Sequence, residues 1–549
     1  MSIYKTATLM AGVLSLAACQ VEFTAPANTP TPLNLAANDF STIHKNNGIE
    51  LLQAMLQMGP GDQSRVNFNS ATYTGGSVID SPNLTLGQMV SVTCNGTPAG
   101  REISIDGGTI GVLGPGDEER LLLSNCNVGN GWLADVFSSD IRNADNTTTT
   151  YTEMVTYANS AHTVVRAIHG GGFVGPAGGN VSGTMQVNGV TYGVITNLTV
   201  PTYADDSQLP PAWSLTGSWR GLPVSLSVAQ SGSNHVYTLT TSADSSKLVA
   251  SVPAGDNTSF SIQVTDRTNV VSTLPATKAQ LITTALSAPS TSTPTGVQFD
   301  TISTANALEL VQGAMFGTRI DLFQTTFGWS SYTGPTSVSY VDPPLGQSTT
   351  INCNGSGGGF AVTVDNGAAG TLDPGDISLL SFSGCNTGGG WSLNGRQIEF
   401  LLSGNWDNGN SVFTNALTYT NGAQTAVTRQ NLVAAFSNAL LTASPGATLV
   451  TLNNKPYGMS TRLTFSEPST DALSWSGSFT WRGLVMQLSG GEDASGNLAM
   501  TLTARDNSRL SAQWTSSSAS LTVTDKNGVQ TTLNYPTSDA EIFIKAFNP

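Results

Sequence analysis

The chain has 549 residues and a net charge of −15, from 21 Lys and Arg against 36 Asp and Glu. That length is too great for one ordinary core, so two or more domains are expected. Charged residues make up only 10%, and no basic stripe exists to neutralise phosphates, which argues against a nucleic-acid partner. The acidity is diffuse and reads as an aid to solubility.

The first element is a leader. In MSIYKTATLMAGVLSLAACQ, Lys5 precedes an apolar run from Leu9 to Ala18 that ends in small residues, the layout of a bacterial secretory signal. The run is too short to anchor in a bilayer. Leu16-Ala17-Ala18-Cys19 resembles the lipobox of bacterial lipoproteins. The resemblance implies removal of residues 1–18, acylation of Cys19 and, with Gln20 rather than Asp after it, sorting to the outer membrane. It leaves the periplasmic or surface side open. Each buried methylene of such lipid adds roughly 0.8 kcal/mol of membrane affinity. Residues 19–36 are then the lipidated Cys and a Pro- and Thr-rich tether.

The rest of the chain is one unit written twice. Cys94 and Cys353 differ by 259 residues, as do Cys126 and Cys385, Asp117 and Asp376, Trp132 and Trp391, Phe40 and Phe299, and Glu50 and Glu309. The offset drifts to 262 at Trp219-Arg220-Gly221-Leu222 against Trp481-Arg482-Gly483-Leu484 and returns to 259 at Val264-Thr265-Asp266 against Val523-Thr524-Asp525. Length changes between collinear segments belong in loops. Residues 37–285 and 299–549 are thus two homologous β-domains, joined by a Ser/Thr/Pro linker at 286–298.

Each copy opens with a helix. Asn47 and Asn306 stand three residues before Glu50 and Glu309, the spacing of a capping box. Ile49, Leu52 and Leu56, and likewise Leu308, Val311 and Met315, recur at three and four and predict one apolar face. Gly59-Pro60-Gly61 should stop the first helix and Gly317 the second. With no basic polar face, these helices are expected to plug a sheet rather than lie on a membrane. Alternating runs follow, such as SVTC, TYTEMVTY and SLSV, then FAVTV, QIEFLL and LAMTLTA, many of them separated by Gly, Asn and Asp pairs. The fold class is mainly β: two curved antiparallel sheets, half-barrel or sandwich, each with one face buried and one wet.

Five Cys in an exported chain divide as one plus two plus two. Cys19 takes lipid, and the duplication favours Cys94 with Cys126 and Cys353 with Cys385 as one disulfide per copy. Between each pair, Asp106, Gly111, Leu113 and Asp117, and again Asp365, Gly370, Leu372 and Asp376, resemble the skeleton of a calcium loop. Gly108 and Ile110, or Gly367 and Ala369, stand where two further oxygen ligands belong. The other reading is a β-connection in which Pro-Gly-Asp sets a tight turn. Apart from calcium at these Asp residues, no cofactor is expected. The fuller pattern, from Cys through the Asp loop to Cys, resembles one in uncharacterised secreted or lipid-anchored β-proteins of Gram-negative bacteria, and it carries no activity with it.

His44, His162, His169 and His235 all lie in the first copy, so a His-dependent site would belong to one half only. No Gly-x-Ser-x-Gly, His-Glu-x-x-His or P-loop spacing occurs. Trp219-Arg220 and Trp481-Arg482 could stack on a sugar or grip an anion. Alternatively the Trp packs in the core while the Arg faces outward. The expectation is a non-enzymatic envelope protein, a binding or structural module. The alternatives are a carrier of lipid or acyl chains and a surface adhesin for glycan or protein.

Overall fold

The computed structural model describes residues 35–59, 68–277 and 299–535, interrupted at loops of which the longer are 75–88, 106–113, 172–178, 201–211, 319–326, 334–347 and 366–372. Cys19, the tether to residue 34, the 286–298 linker, Pro60, Gly61 and Asp106 lie outside the described residues.

Among the described residues the two copies form two antiparallel meanders of fifteen strands each, every strand paired with its neighbour in sequence. The first runs from β1 (Phe68–Thr74) to β15 (Val271–Thr277), the second from β16 (Phe327–Thr333) to β30 (Gln530–Tyr535). Such order needs only hairpins, and the turn residues supply them. Asn188 and Gly189 (φ 49° and 81°) join β8 (Gly179–Val187) to β9 (Val190–Val200), and Asn453 and Asn454 (φ 46° and 64°) do the same in the second copy. Two consecutive left-handed residues make the hairpin turn whose twist matches the flanking strands. Among the described strands no pairing joins first to last, so neither sheet closes into a barrel.

Helix α1 (Gly48–Met58) packs on β9, β10 (Ala212–Trp219) and β14 (Ser259–Thr265). Touching strands that far apart in the ladder requires the sheet to curl around the helix. Helix α2 (Ala307–Thr318) sits the same way against β23 (Leu440–Leu452), β24 (Lys455–Ser469), β25 (Ala472–Trp481) and β29 (Ala519–Thr524). The helices are not half-wet. Leu51, Leu52, Gln53, Ala54, Met55, Leu56 and Met58 are all buried in α1, so it is a plug enclosed on nearly every side. Gly59 follows the last helical residue, as expected, and a Cβ there would lie 2.3 Å from the Trp213 ring. Gly317 does not end α2. It lies inside the last turn, where a Cβ would meet Ser460 at 2.5 Å, so the small residue serves close approach rather than termination.

Burial of the strands divides each sheet in two. Along β11 (Leu222–Ser231) buried and exposed residues alternate strictly from Leu222 to Ala229, the pattern of a sheet with one wet face. In β5 (Trp132–Arg142), β6 (Thr149–Ala158) and β7 (Thr163–Gly171) consecutive residues are buried instead. Their second face meets the other copy. Ile103, Ile105, Leu122, Phe137, Met154, Val165 and Ala167 form one cluster with Leu379, Ile398, Phe400, Val412, Ala447, Leu449 and Met459. Each copy keeps its own helix-centred core as well. The molecule is thus two plugged, curved sheets stacked through the middle strands of each, and the expectation of one wet face fails along this seam.

Candidate functional site

The repeated Trp-Arg pairs lie at the helix starts. Trp219 ends β10 and Leu222 begins β11, so Arg220 and Gly221 (φ 48° and 83°) are the two turn residues between them; Arg482 and Gly483 (φ 46° and 86°) repeat this. The Arg therefore does not alternate with the Trp in a strand. It turns back over the helix. Trp219 Nε1 donates to Glu50 Oε1 at 3.0 Å, Arg220 Nε donates to the same oxygen at 2.7 Å, and the guanidinium lies over the rings of Phe40 (4.9 Å) and Tyr192 (4.8 Å). In the second copy Trp481 Nε1 donates to Glu309 at 2.9 Å, with Arg482 over Phe299 and Tyr457. Each clamp fastens a helix to the turn of a distant hairpin.

This use of Glu50 overturns the capping box. Asn47 makes no side-chain cap bond; its Oδ1 accepts the His44 N–H, and its Nδ2 donates to the Asp39 and Thr42 carbonyls. Asn306 repeats the pattern by accepting the Ser303 N–H and donating to the Thr301 carbonyl. The Asn residues shape the loop before the helix, while the Glu residues reach for the Trp and Arg.

The far end of α1 has its own device. Arg166 donates to the Gln57 and Gly59 carbonyls at 2.9 and 2.7 Å, satisfying groups at the end of the helix, and pairs with Glu153 at 2.6 Å. Tyr151 donates to the other Glu153 oxygen at 2.7 Å, and burial pushes its hydroxyl pKa well up, with Glu153 adding to that. In the second copy Asn415 and Thr428 stand at the positions of Glu153 and Arg166.

The disulfides join Cys94 to Cys126 and Cys353 to Cys385, as the duplication suggested. In the loops between them, Asp117 Oδ2 accepts the Gly114 N–H at 2.6 Å and Asp376 Oδ2 accepts the Asp373 N–H at 2.9 Å. Asp117 and Asp376 also donate their own N–H groups back to the Gly114 and Asp373 carbonyls, around Gly116 (φ 95°) and Gly375 (φ 107°). This is the tight Pro-Gly-Asp turn. Asp365 is partly buried on the other flank, and no group of three or more metal-ligating side chains occurs among the described residues.

Of the four His, His44 is buried and accepts or donates within its loop through both ring nitrogens, while His169 shares a 2.8 Å bond with Thr152. Burial lowers the pKa of His169, helped by the nearby charge of Arg429.

The seam holds a cluster of buried charge. Glu118 and Arg120 lie on β4 (Glu118–Gly129), and Arg120 donates to both Glu118 oxygens at 2.7 Å. Its remaining arm crosses into the second copy, to Thr414 Oγ1 at 2.8 Å and the Gln430 carbonyl at 2.9 Å. Ser139 donates to Glu118 at 2.5 Å, and Arg429 Nε lies 3.3 Å from it. A short way along, Asp135 accepts from Thr461 and Arg462, each at 2.9 Å. Beside Glu118 and Arg120 is a cavity of about 220 Å³, walled by Ile105 and Gly116 from the first copy and by Arg396, Ile398, Thr414 and Ala416 from the second. No sequence signal marked this place, because its charged members, Glu118, Arg120 and Arg396, are not among the residues the copies share.

Comparison with protein-family models, curated proteins and solved structures found no match to the chain.

Proposed function

We propose that the chain is a lipid-anchored protein of the outer membrane that acts as a non-enzymatic binding or structural module. One observation carries the reading furthest: the concave face of each sheet is occupied by its own helix, buried nearly all round and tied at its first turn through Glu50 or Glu309. A carrier for an apolar ligand needs an unfilled apolar space in that place. Here Leu51, Leu52, Met55 and Met58 fill it in the first copy, and Leu310, Val311, Ala314 and Met315 in the second. The stacking of the two sheets supports a rigid body rather than two beads on a string.

In this reading attachment is through the lipid on Cys19; among the described residues no helix is long and apolar enough to cross a membrane. In a Gram-negative host, Cys19→Ala should move the protein from the detergent-extractable membrane fraction to the soluble one, and mass spectrometry should show the acyl chains lost from the N-terminal peptide. An unmodified Cys19 in the parent would end the lipoprotein reading. Extraction of a stoichiometric lipid beyond the acyl chains on Cys19 would favour the carrier instead.

A further inference from the structure

The duplication lets the two plugs be compared residue by residue, and they are not seated alike. On the first sheet Glu153, Ile168, Gly183 and Ile195 form one cross-strand row on β6 to β9. Ile168 and Ile195 belong to the core around α1, and Glu153 pairs with the Arg166 that ties the end of that helix. The same row of the second sheet reads Asn415, Gln430, Thr448 and Ser460, on β21 (Gly409–Asn421), β22 (Gln424–Ser437), β23 and β24. Directly paired residues point to the same side of a sheet. That side is the one α2 covers, since a Cβ on Gly317 would lie 2.5 Å from Ser460 Oγ.

Every member of the polar row is at most 2% exposed. Gln430 Nε2, Thr448 Oγ1 and Ser460 Oγ nevertheless have no hydrogen-bond partner among the described residues, and neither has either polar atom of the buried Gln312 on α2. Polar groups stranded by burial regain partners in water, so each of them favours lifting the helix. The helix is also weak in itself. α2 carries Gly313 and Gly317 where α1 has Ala54 and Met58, and glycine inside a helix favours the unwound chain. Its clamp is the looser one, with Arg482 3.4 Å from Glu309 against 2.7 Å between Arg220 and Glu50. At its far end Thr428 stands in the place of Arg166.

We propose that α2 is a releasable plug. Its second half, from Gly313 to Thr318, lifts from the sheet while the first turn stays clamped to Trp481. The opening bares a floor of amides and hydroxyls edged by Leu432, two residues along from Gln430, and by Phe479, the neighbour of Ser460 in the ladder. α1, tied at both ends over a row that is apolar or ion-paired, stays seated. The second unit therefore has a pocket that it can open, polar in its chemistry, and the first does not. The device goes beyond the reading above and does not rest on it, so a Cys19 without acyl chains would leave it standing.

The test follows hydrogen exchange of the detergent-solubilised full chain, read peptide by peptide in a mass spectrometer. Amides of α2 should exchange about a hundredfold or more faster than those of α1, at a rate that low urea leaves unchanged, as a local opening requires. Thr448→Val with Ser460→Ala removes two stranded hydroxyls without adding bulk. It should slow α2 exchange about tenfold and leave α1 as it was. Ser460→Cys, probed with a maleimide, should react without global unfolding, which separates lifting of the helix from fraying of its backbone. Equal protection of the two helices, unchanged α2 exchange without the hydroxyls, or a Ser460→Cys thiol that reacts only on global unfolding overturns the proposal.

Discussion

At the residue scale the two Glu clamps do the same job under different exposure. Arg220 and Glu50 are 10% and 22% exposed, whereas Arg482 and Glu309 are 40% and 27% exposed. The Arg contact of Glu50 is also shorter, 2.7 Å against 3.4 Å for Glu309. A charge-assisted hydrogen bond contributes about 1.5–3 kcal/mol when shielded and less when water competes. Glu50→Gln should therefore lower the unfolding free energy by about 1–3 kcal/mol, and Glu309→Gln by clearly less, in urea titrations. Equal effects would mean that the Trp bond alone holds each helix. Both Glu and both Trp-Arg pairs stood out in the sequence as repeats. Their meeting did not, because Glu50 and Trp219 are 169 residues apart.

At the element scale, α1 is tied at both ends and α2, among the described residues, only at its start by a charged clamp. Arg166 is what makes the difference. Removing it alone, as Arg166→Thr, leaves Glu153 buried without its main partner, which costs about 3–5 kcal/mol. The pair Glu153→Asn with Arg166→Thr copies the second unit and leaves no stranded charge. It should be milder than the single change, a non-additivity that a double-mutant cycle of urea midpoints would measure. If the double variant were worse than the single one, the ion pair would be secondary and Arg166 would matter as a cap. The helices themselves were legible from Asn-x-x-Glu and the apolar spacing. Their complete burial was not, since periodicity shows that a face is covered and is silent about what covers the rest.

For the whole molecule the seam decides pH sensitivity. Burial by itself would raise the Glu118 pKa, but the charge and hydrogen bonds of Arg120, with Arg429 and Ser139, outweigh it and hold the carboxyl below the usual glutamate range. A group lowered in the folded state contributes stability above its ordinary range, and that contribution disappears as pH falls through the lowered value. Acid should thus loosen the stacking of the sheets. Urea unfolding at stepped pH should show stability falling below the glutamate range, and Glu118→Gln should flatten that part of the curve. At neutral pH the same variant should cost about 3–5 kcal/mol, having left two guanidiniums without their carboxylate. An unchanged acid slope would show that other carboxylates carry it.

The sequence by itself determined the duplication, the meander of hairpins, the place of each helix and the cystine of each unit. Those follow from local rules: turn residues, alternation, the apolar spacing of the helices and Cys spacing act within a few tens of residues. Only the tertiary structure decided that β5 to β7 are covered on both faces, that Glu50 serves a Trp and an Arg instead of its own helix, and that Arg120 and Arg429 gather around one carboxylate. These depend on which distant surfaces meet. A strand's pattern records that a side chain is buried, and the identity of the neighbour that buries it is set by the packing of two sheets as whole bodies.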